Sequence, residues 1–206
     1  MSVFIRKLIL LLTLASPLAY SPAANAIALD IGTYSGSGCC SFGTRGYWFE
    51  AQQDFVINAL DVSVGGANES TSTLEVLSFN SPIPDFPSLT NDFTSLFYQA
   101  GSYTASALGI QIYAGDLIGI LGYNGSVTPY STETSGYVSS SPIVSTLSRL
   151  GFQNTGMASN VWTESDASIG FIQMDYTLGT SSVPIPAPLA LIGLGLLGMG
   201  LTRKRS

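Results

Sequence analysis

The 206-residue chain has no histidine, and its seven lysines and arginines are almost confined to its ends. Between Ile27 and Pro188 there is no lysine, and Arg45 and Arg149 are the two basic residues. These absences remove the usual general base and the usual Schiff-base amine from that stretch. No Gly-x-Ser-x-Gly elbow occurs, and zinc loses its commonest ligands. Cysteine is reduced to the adjacent pair Cys39 and Cys40, without the Cys-x-x-Cys spacing of a redox pair. What is abundant is acid. All thirteen aspartates and glutamates fall between Asp30 and Asp175, so thirteen carboxylates against two arginines leave −11 there, compared with −6 for the whole chain. Such a charge repels phosphate backbones and anionic lipid, which excludes nucleic acid as a partner and suits solubility outside a cell. No Asp-x-Asp-x-Asp-Gly loop is present to specify a divalent cation, so neither a metal nor a cofactor is expected. A pair of carboxylates in the manner of a glycosidase is the one enzyme chemistry left, and no pair stands out among thirteen. The expectation is a protein that is not an enzyme.

Both ends read as targeting segments. Arg6 and Lys7 precede the apolar run Leu8 to Ala15, and Ala24-Asn25-Ala26 places small residues at the spacing a signal peptidase needs. Residues 1–26 are therefore read as a cleaved secretory signal peptide, with Ile27 the first mature residue. At the other end, nothing charged lies between Asp175 and Arg203. Pro184, Pro186 and Pro188 disfavour helix before Leu189, because each lacks an amide proton and pushes its predecessor toward extended geometry. An apolar helix over 188–201 would cover roughly 21 Å, short of the ~30 Å hydrocarbon core. Arg203, Lys204 and Arg205 form a basic stop that stays on the cytoplasmic side. Gly193-x-Gly195-x-x-Gly198 fits a dinucleotide-binding pattern, but no strand precedes it and there is no room for a second one. Small residues for helix packing explain those glycines better.

Val183-Pro184-Ile185-Pro186-Ala187, the Leu/Gly-rich segment and the terminal Arg/Lys cluster together resemble the PEP-CTERM sorting signal of exported proteins in Gram-negative bacteria. Ile185 stands where the commoner form of that signal has glutamate. The resemblance covers residues 181–206. It implies transient inner-membrane insertion, processing by an exosortase-type enzyme, anchoring by the C-terminal transmembrane helix before processing, and a cell-surface or extracellular location after it.

Between the two ends, residues 27–180 make one domain of roughly 160 residues, large enough to bury a core without staples. Seven segments read as strands: Gly46 to Ala51, Asp54 to Val64, Thr73 to Phe79, Phe93 to Tyr98, Ala107 to Tyr113, Asp116 to Leu121, and Ala167 to Leu178. They are β-branched or aromatic and are bounded by Gly, Pro, Asn and Ser. Ile172, Met174, Tyr176 and Leu178 alternate with Gln173, Asp175 and Thr177, and Leu108, Ile110 and Ile112 repeat the pattern. The apolar phase shifts from Phe55, Ile57 and Ala59 to Leu60, Val62 and Val64, which predicts a bulge near Ala59. The fold class expected is all-β, a single antiparallel sandwich of jelly-roll-like shape. The runs Thr44 to Ala51, Phe93 to Phe97 and Ala114 to Gly122 are similar to an extracellular β-sandwich module that recurs in exported bacterial proteins.

Cys39 and Cys40 are candidates for a vicinal disulfide in an oxidising compartment, with free thiols or links between chains as alternatives. Asn124-Gly125 and Gly115-Asp116 read as turns, with Asp116 a backbone cap. Tyr34, Tyr123, Tyr130, Tyr137 and Trp162 lie in or beside stretches that read as loops, where flat rings could stack on sugar faces, although aromatics in β-domains are more often core or cross-strand packing; Tyr123 and Trp162 are the candidate glycan contacts. The function expected is that of a non-catalytic surface or extracellular-matrix protein associated with exopolysaccharide or biofilm. A carbohydrate-binding module is the alternative, and a secreted hydrolase ranks below both.

Overall fold

The computed structural model of the protein describes residues 25–38 and 43–179. The signal peptide up to Ala24, the Cys39–Cys40 pair and the sorting tail over 181–206 lie outside the described residues. The fold is all-β. Among the described residues fourteen strands run in the order β1 Ile27–Ala28, β2 Tyr34–Gly38, β3 Thr44–Glu50, β4 Phe55–Asp61, β5 Thr73–Phe79, β6 Phe93–Ala100, β7 Thr104–Ile112, β8 Leu117–Tyr123, β9 Thr128–Thr134, β10 Tyr137–Val138, β11 Thr146–Phe152, β12 Trp162–Glu164, β13 Ser168–Gly170 and β14 Gln173–Leu178. The single 3-10 turn Glu69–Thr71 is the only helical element among the described residues.

All pairings between these strands are antiparallel. One sheet has the order β1-β14-β4-β7, a larger one β10-β11-β3-β8-β5-β6, and a small one β13-β9-β2. Strand β11 gives one edge to β3 and divides the other between β10 and β12.

The central strands of the larger sheet are buried on both faces, which explains their composition. Ile118 and Ile120 of β8, Leu74 and Val76 of β5, and Tyr47 and Phe49 of β3 pack against Phe55, Ile57, Leu60, Met174 and Tyr176 of the four-stranded sheet. Tyr47, Phe49, Phe55 and Tyr176 follow one another in ring contact, with centroids 6.4, 6.3 and 5.8 Å apart. On the opposite face, Leu77, Phe79, Leu121, Leu150 and Phe152 form a second core closed by Ile83 and Val161 from the connecting segments. A sheet covered on both sides needs continuous apolar runs, and Leu117-Ile118-Gly119-Ile120-Leu121 is such a run. Gly46 is fixed by the same packing, since a Cβ there would stand 1.7 Å from the Ile120 carbonyl oxygen.

Strand β5 has the predicted bounds, and the predicted bulge is found. Ile57 pairs with Tyr176 and Ala59 with Asp175, leaving Asn58 as the extra residue. Two expectations are corrected. The segment Ala167 to Leu178 is two strands, because the chain changes sheets at Phe171 and Ile172: β13 pairs with β9, β14 with β4, and the Phe171 amide donates to the Pro129 carbonyl at 2.9 Å. The five aromatic residues placed in or beside loops all lie in strands: Tyr34 in β2, Tyr123 in β8, Tyr130 in β9, Tyr137 in β10 and Trp162 in β12. Apart from Tyr123, which closely follows the apolar run Leu117 to Leu121, their flanks are rich in Ser, Thr and Gly and lack the apolar alternation that marks a strand.

Candidate functional site

Both arginines of the described chain are interior cross-links. Arg45, 9% exposed, donates from Nη1 to the carbonyls of Thr44 (3.0 Å) and Phe152 (2.8 Å), and its guanidinium carbon stands 5.5 Å from the centre of the Trp162 ring. Arg149, also 9% exposed, donates to the Ser168 carbonyl at 2.7 Å and pairs through Nε with Glu164 Oε2 at 2.5 Å. It lies over Tyr130, 5.2 Å from the ring centre. Burying a guanidinium costs hydration, and carbonyl acceptors, a carboxylate and an aromatic face compensate for it. Apart from the buried Glu75, the remaining carboxylates meet solvent without a cation on the described surface.

This arrangement decides where the two candidate glycan contacts fall. Trp162 is 5% exposed: its Nε1 donates to Glu164 Oε1 at 2.7 Å, Arg45 covers its face, and Phe86 packs 5.7 Å away. Tyr123 is likewise 5% exposed. Neither presents a ring face to solvent, and of the two readings core packing fits them better than a ligand platform. Both sit where the sheet's second face is covered.

Trp48 is the tryptophan that faces an opening. Its neighbours Tyr47 and Phe49 point into the main core, so alternation sends Trp48 to the opposite face of β3. There it lines a hollow of about 380 Å³ with Ile83, Asp85, Ser148, Thr163 and Asp166. A second hollow of about 180 Å³ continues beside it, sharing Asp85, Thr163 and Ser165 and adding Phe86 and Glu164. Trp48 Nε1 donates to Thr163 Oγ1 at 3.0 Å, and that hydroxyl donates to the Arg149 carbonyl at 2.8 Å. The wall carrying Asp85 and Phe86 is fastened to β12: Phe86 N donates to Thr163 O (3.1 Å), Thr163 N to Pro84 O (3.0 Å), and Thr90 and Val161 exchange two bonds of 2.9 Å. Asp166 holds a left-handed backbone, φ 61°.

A third hollow of about 310 Å³ is lined by Ser35, Ser37, Tyr130, Arg149 and Ser168. Its one charged group is the guanidinium already engaged by Glu164 and Ser168.

Three carboxylates have shifted acidity; at Asp92 bonds from the Asn80 amide group and the Ser81 hydroxyl lower it. Asp30 accepts bonds from the Ser140 hydroxyl (2.7 Å) and amide (2.9 Å), the Gly32 amide (3.2 Å) and the Tyr137 hydroxyl (2.9 Å). These bonds, those of Ser140 foremost, hold its pKa down at about 2. The cluster ties the chain leading into β2 to the segment after β10. Glu75, 3% exposed, is pushed up by burial, against the opposing effect of bonds from the Ala158 amide and the Ser95 hydroxyl, each 2.8 Å. The predicted turns are also found. Asn124 Oδ1 accepts from the amides of Ser126 and Val127, and Asp116 Oδ2 caps the Tyr113 amide at 2.8 Å.

Among the described residues, no group of three or more His, Cys, Asp or Glu side chains is placed to hold a metal ion. Among the same residues, no helix is long and apolar enough to cross a membrane. Comparison with known protein families, with curated proteins and with solved structures finds no match for this chain.

Proposed function

We propose that the protein is an exported, non-catalytic component of a bacterial surface or extracellular matrix, built on a jelly-roll-like antiparallel β-sandwich over residues 27–180. The observation that carries this reading is the division of charge. Both guanidiniums are spent inside the fold, so thirteen carboxylates against two interior arginines give the described surface an almost purely anionic character. A surface of one sign keeps a protein soluble and apart from nucleic acid and anionic lipid, which suits life in a polymer-rich envelope.

Export and sorting belong to the same proposal. A signal peptidase removes residues 1–26, and the Val183-Pro184-Ile185-Pro186-Ala187 tail with Arg203, Lys204 and Arg205 holds the chain transiently in the inner membrane. An exosortase-type enzyme then acts at the motif and leaves the domain at the surface or in the medium. The test is the intact mass of the protein recovered from surface and medium of its native host. A mass that begins at Ile27 and ends near Pro186, with or without an added group, is expected. A mass ending at Ser206 refutes processing and turns the protein into a membrane-anchored domain.

A further inference from the structure

We propose that the joined hollows beside Trp48 and Phe86 bind an oligosaccharide that carries no anionic groups. The exported-matrix reading says where such a glycan would be met; the site itself is argued from its own chemistry. A sugar ring offers an apolar C–H face and a rim of hydroxyls, so a protein that holds one needs an aromatic surface beside groups that accept hydroxyl protons. The hollows bring those features together. Trp48 and Phe86 supply an aromatic group to each hollow, and Asp85 and Asp166 stand with the hydroxyls of Ser135, Ser148 and Ser165 around them.

Three further observations sharpen the reading. The two hollows meet along the Asp85–Thr163–Ser165 ridge, so adjoining sugar units have adjoining places and a chain fits better than a monosaccharide. The walls are set before a ligand arrives, since the segment from Pro84 to Thr90 is hydrogen-bonded to β12 and Val161, and the Trp48 indole is fixed to Thr163. Preorganisation of this kind lowers the entropic cost of binding. The charge then sets the ligand's sign. Asp85, Glu164 and Asp166 border the hollows, neither arginine lines them, and the Arg149 guanidinium is committed to Glu164 and the Ser168 carbonyl. A uronate or sulfated chain would meet repulsion without a counter-charge.

Intrinsic fluorescence offers a direct readout, because the chain has two tryptophans and Trp162 is buried. Protein produced from the full-length chain is titrated with a neutral cello-oligosaccharide, a cationic chitosan oligosaccharide and an anionic oligogalacturonate. Saturable quenching or blue shift by the neutral or the amino-sugar chain is expected, and which of the two binds tighter identifies the source of the hydroxyl-bearing ligand. Trp48→Ala should weaken that binding roughly tenfold or more, a loss of about 1.4 kcal/mol. Since Trp48 also packs on the second core, the pair Asp85→Asn with Asp166→Asn provides a second variant. Both positions are exposed, and asparagine tolerates the left-handed backbone at 166. That double variant should fold as the parent and bind the same glycan several-fold more weakly. Tighter binding of oligogalacturonate than of either other chain, binding unchanged in the double variant, or no saturable binding of the neutral and cationic chains overturns the proposal. None of these outcomes alters the mass of the sorted protein, so the failure of this site and the failure of the export reading are separate results.

Discussion

Two fully buried tyrosines make opposite demands on their hydroxyls. Tyr47 donates to the Ile172 carbonyl at 3.0 Å, and burial pushes its phenol well above the ordinary range. Tyr176, buried to the same degree, has a hydroxyl with no hydrogen-bond partner. Removing the first hydroxyl deletes a bond and strips an acceptor of its donor, so Tyr47→Phe should cost about 1 kcal/mol. Removing the second deletes an unmet desolvation cost, so Tyr176→Phe should be neutral or stabilising. Urea midpoints of the two variants decide the matter, and equal losses would refute the contrast. At Asp30 the sign follows from a pKa held at about 2. A depressed acid contributes stability that is complete above its unfolded value near 4 and disappears as pH falls through the folded value. Allowing for solvent around a partly exposed group, the contribution is about 1 kcal/mol at pH 7. The stability gap between parent and Asp30→Asn should therefore be full at neutral pH and close between about pH 4 and pH 2. Glu75 behaves in the reverse sense, since burial raises its pKa and its charge costs stability as pH rises through the raised value. In Glu75→Gln the amide oxygen keeps the Ala158 bond while the Ser95 hydroxyl turns to accept, so this variant should be at least as stable as the parent at pH 7.

At the scale of the strand and its connections, the sheets leave little freedom where β3 crosses β8. Gly46→Ala sets a methyl against the Ile120 carbonyl, a backbone atom that cannot move without breaking the β3–β8 ladder. Overpacking of this kind costs about 1–3 kcal/mol or more, and a drop of several degrees in melting temperature is expected. An unchanged melting point would mean that the two strands separate more easily than their pairing suggests. The same strands show what can be read without coordinates. The apolar phase shift around Ala59 locates a bulge, and the dense run at Leu117 to Leu121 marks a strand with two buried faces. Strands β9 and β11 escape notice because threonine, serine and glycine interrupt their apolar positions, and their place in the sheets comes from distant partners. The Trp48 cleft was half legible. Alternation around Tyr47 and Phe49 puts Trp48 on the far side of β3, but nothing local brings Asp85, Thr163 and Asp166 to it. Those residues meet because the 80–92 connection lies against β12, a contact between segments some eighty residues apart in the chain.

For the whole molecule, the decisive quantity is the −11 that the described residues carry. With both arginines inside, like-charged carboxylates repel across the surface without exposed cations among them, and compactness carries an electrostatic penalty. Salt shortens the range of that repulsion from about 30 Å at 0.01 M to about 8 Å at 0.15 M. Melting temperature should therefore rise with sodium chloride at pH 7, whereas a surface of mixed charge would lose favourable pairs under the same change. Protonation acts in the same direction. As pH falls toward 4 the general repulsion fades and the penalty at Glu75 is relieved, while the Asp30 cluster keeps its bonds until the pH nears 2. The opposed signs place the stability maximum on the mildly acidic side, below neutral and above the range in which Asp30 titrates. Melting curves at low salt between pH 3 and pH 8 test this, with the Asp30→Asn variant as the control expected to have a flatter acid limb, because the group whose protonation lowers stability there is gone. A maximum at pH 7 or above, together with no gain from salt, would mean that the carboxylates are paired in the protein as it exists, and the anionic surface on which the functional reading rests would have to be abandoned.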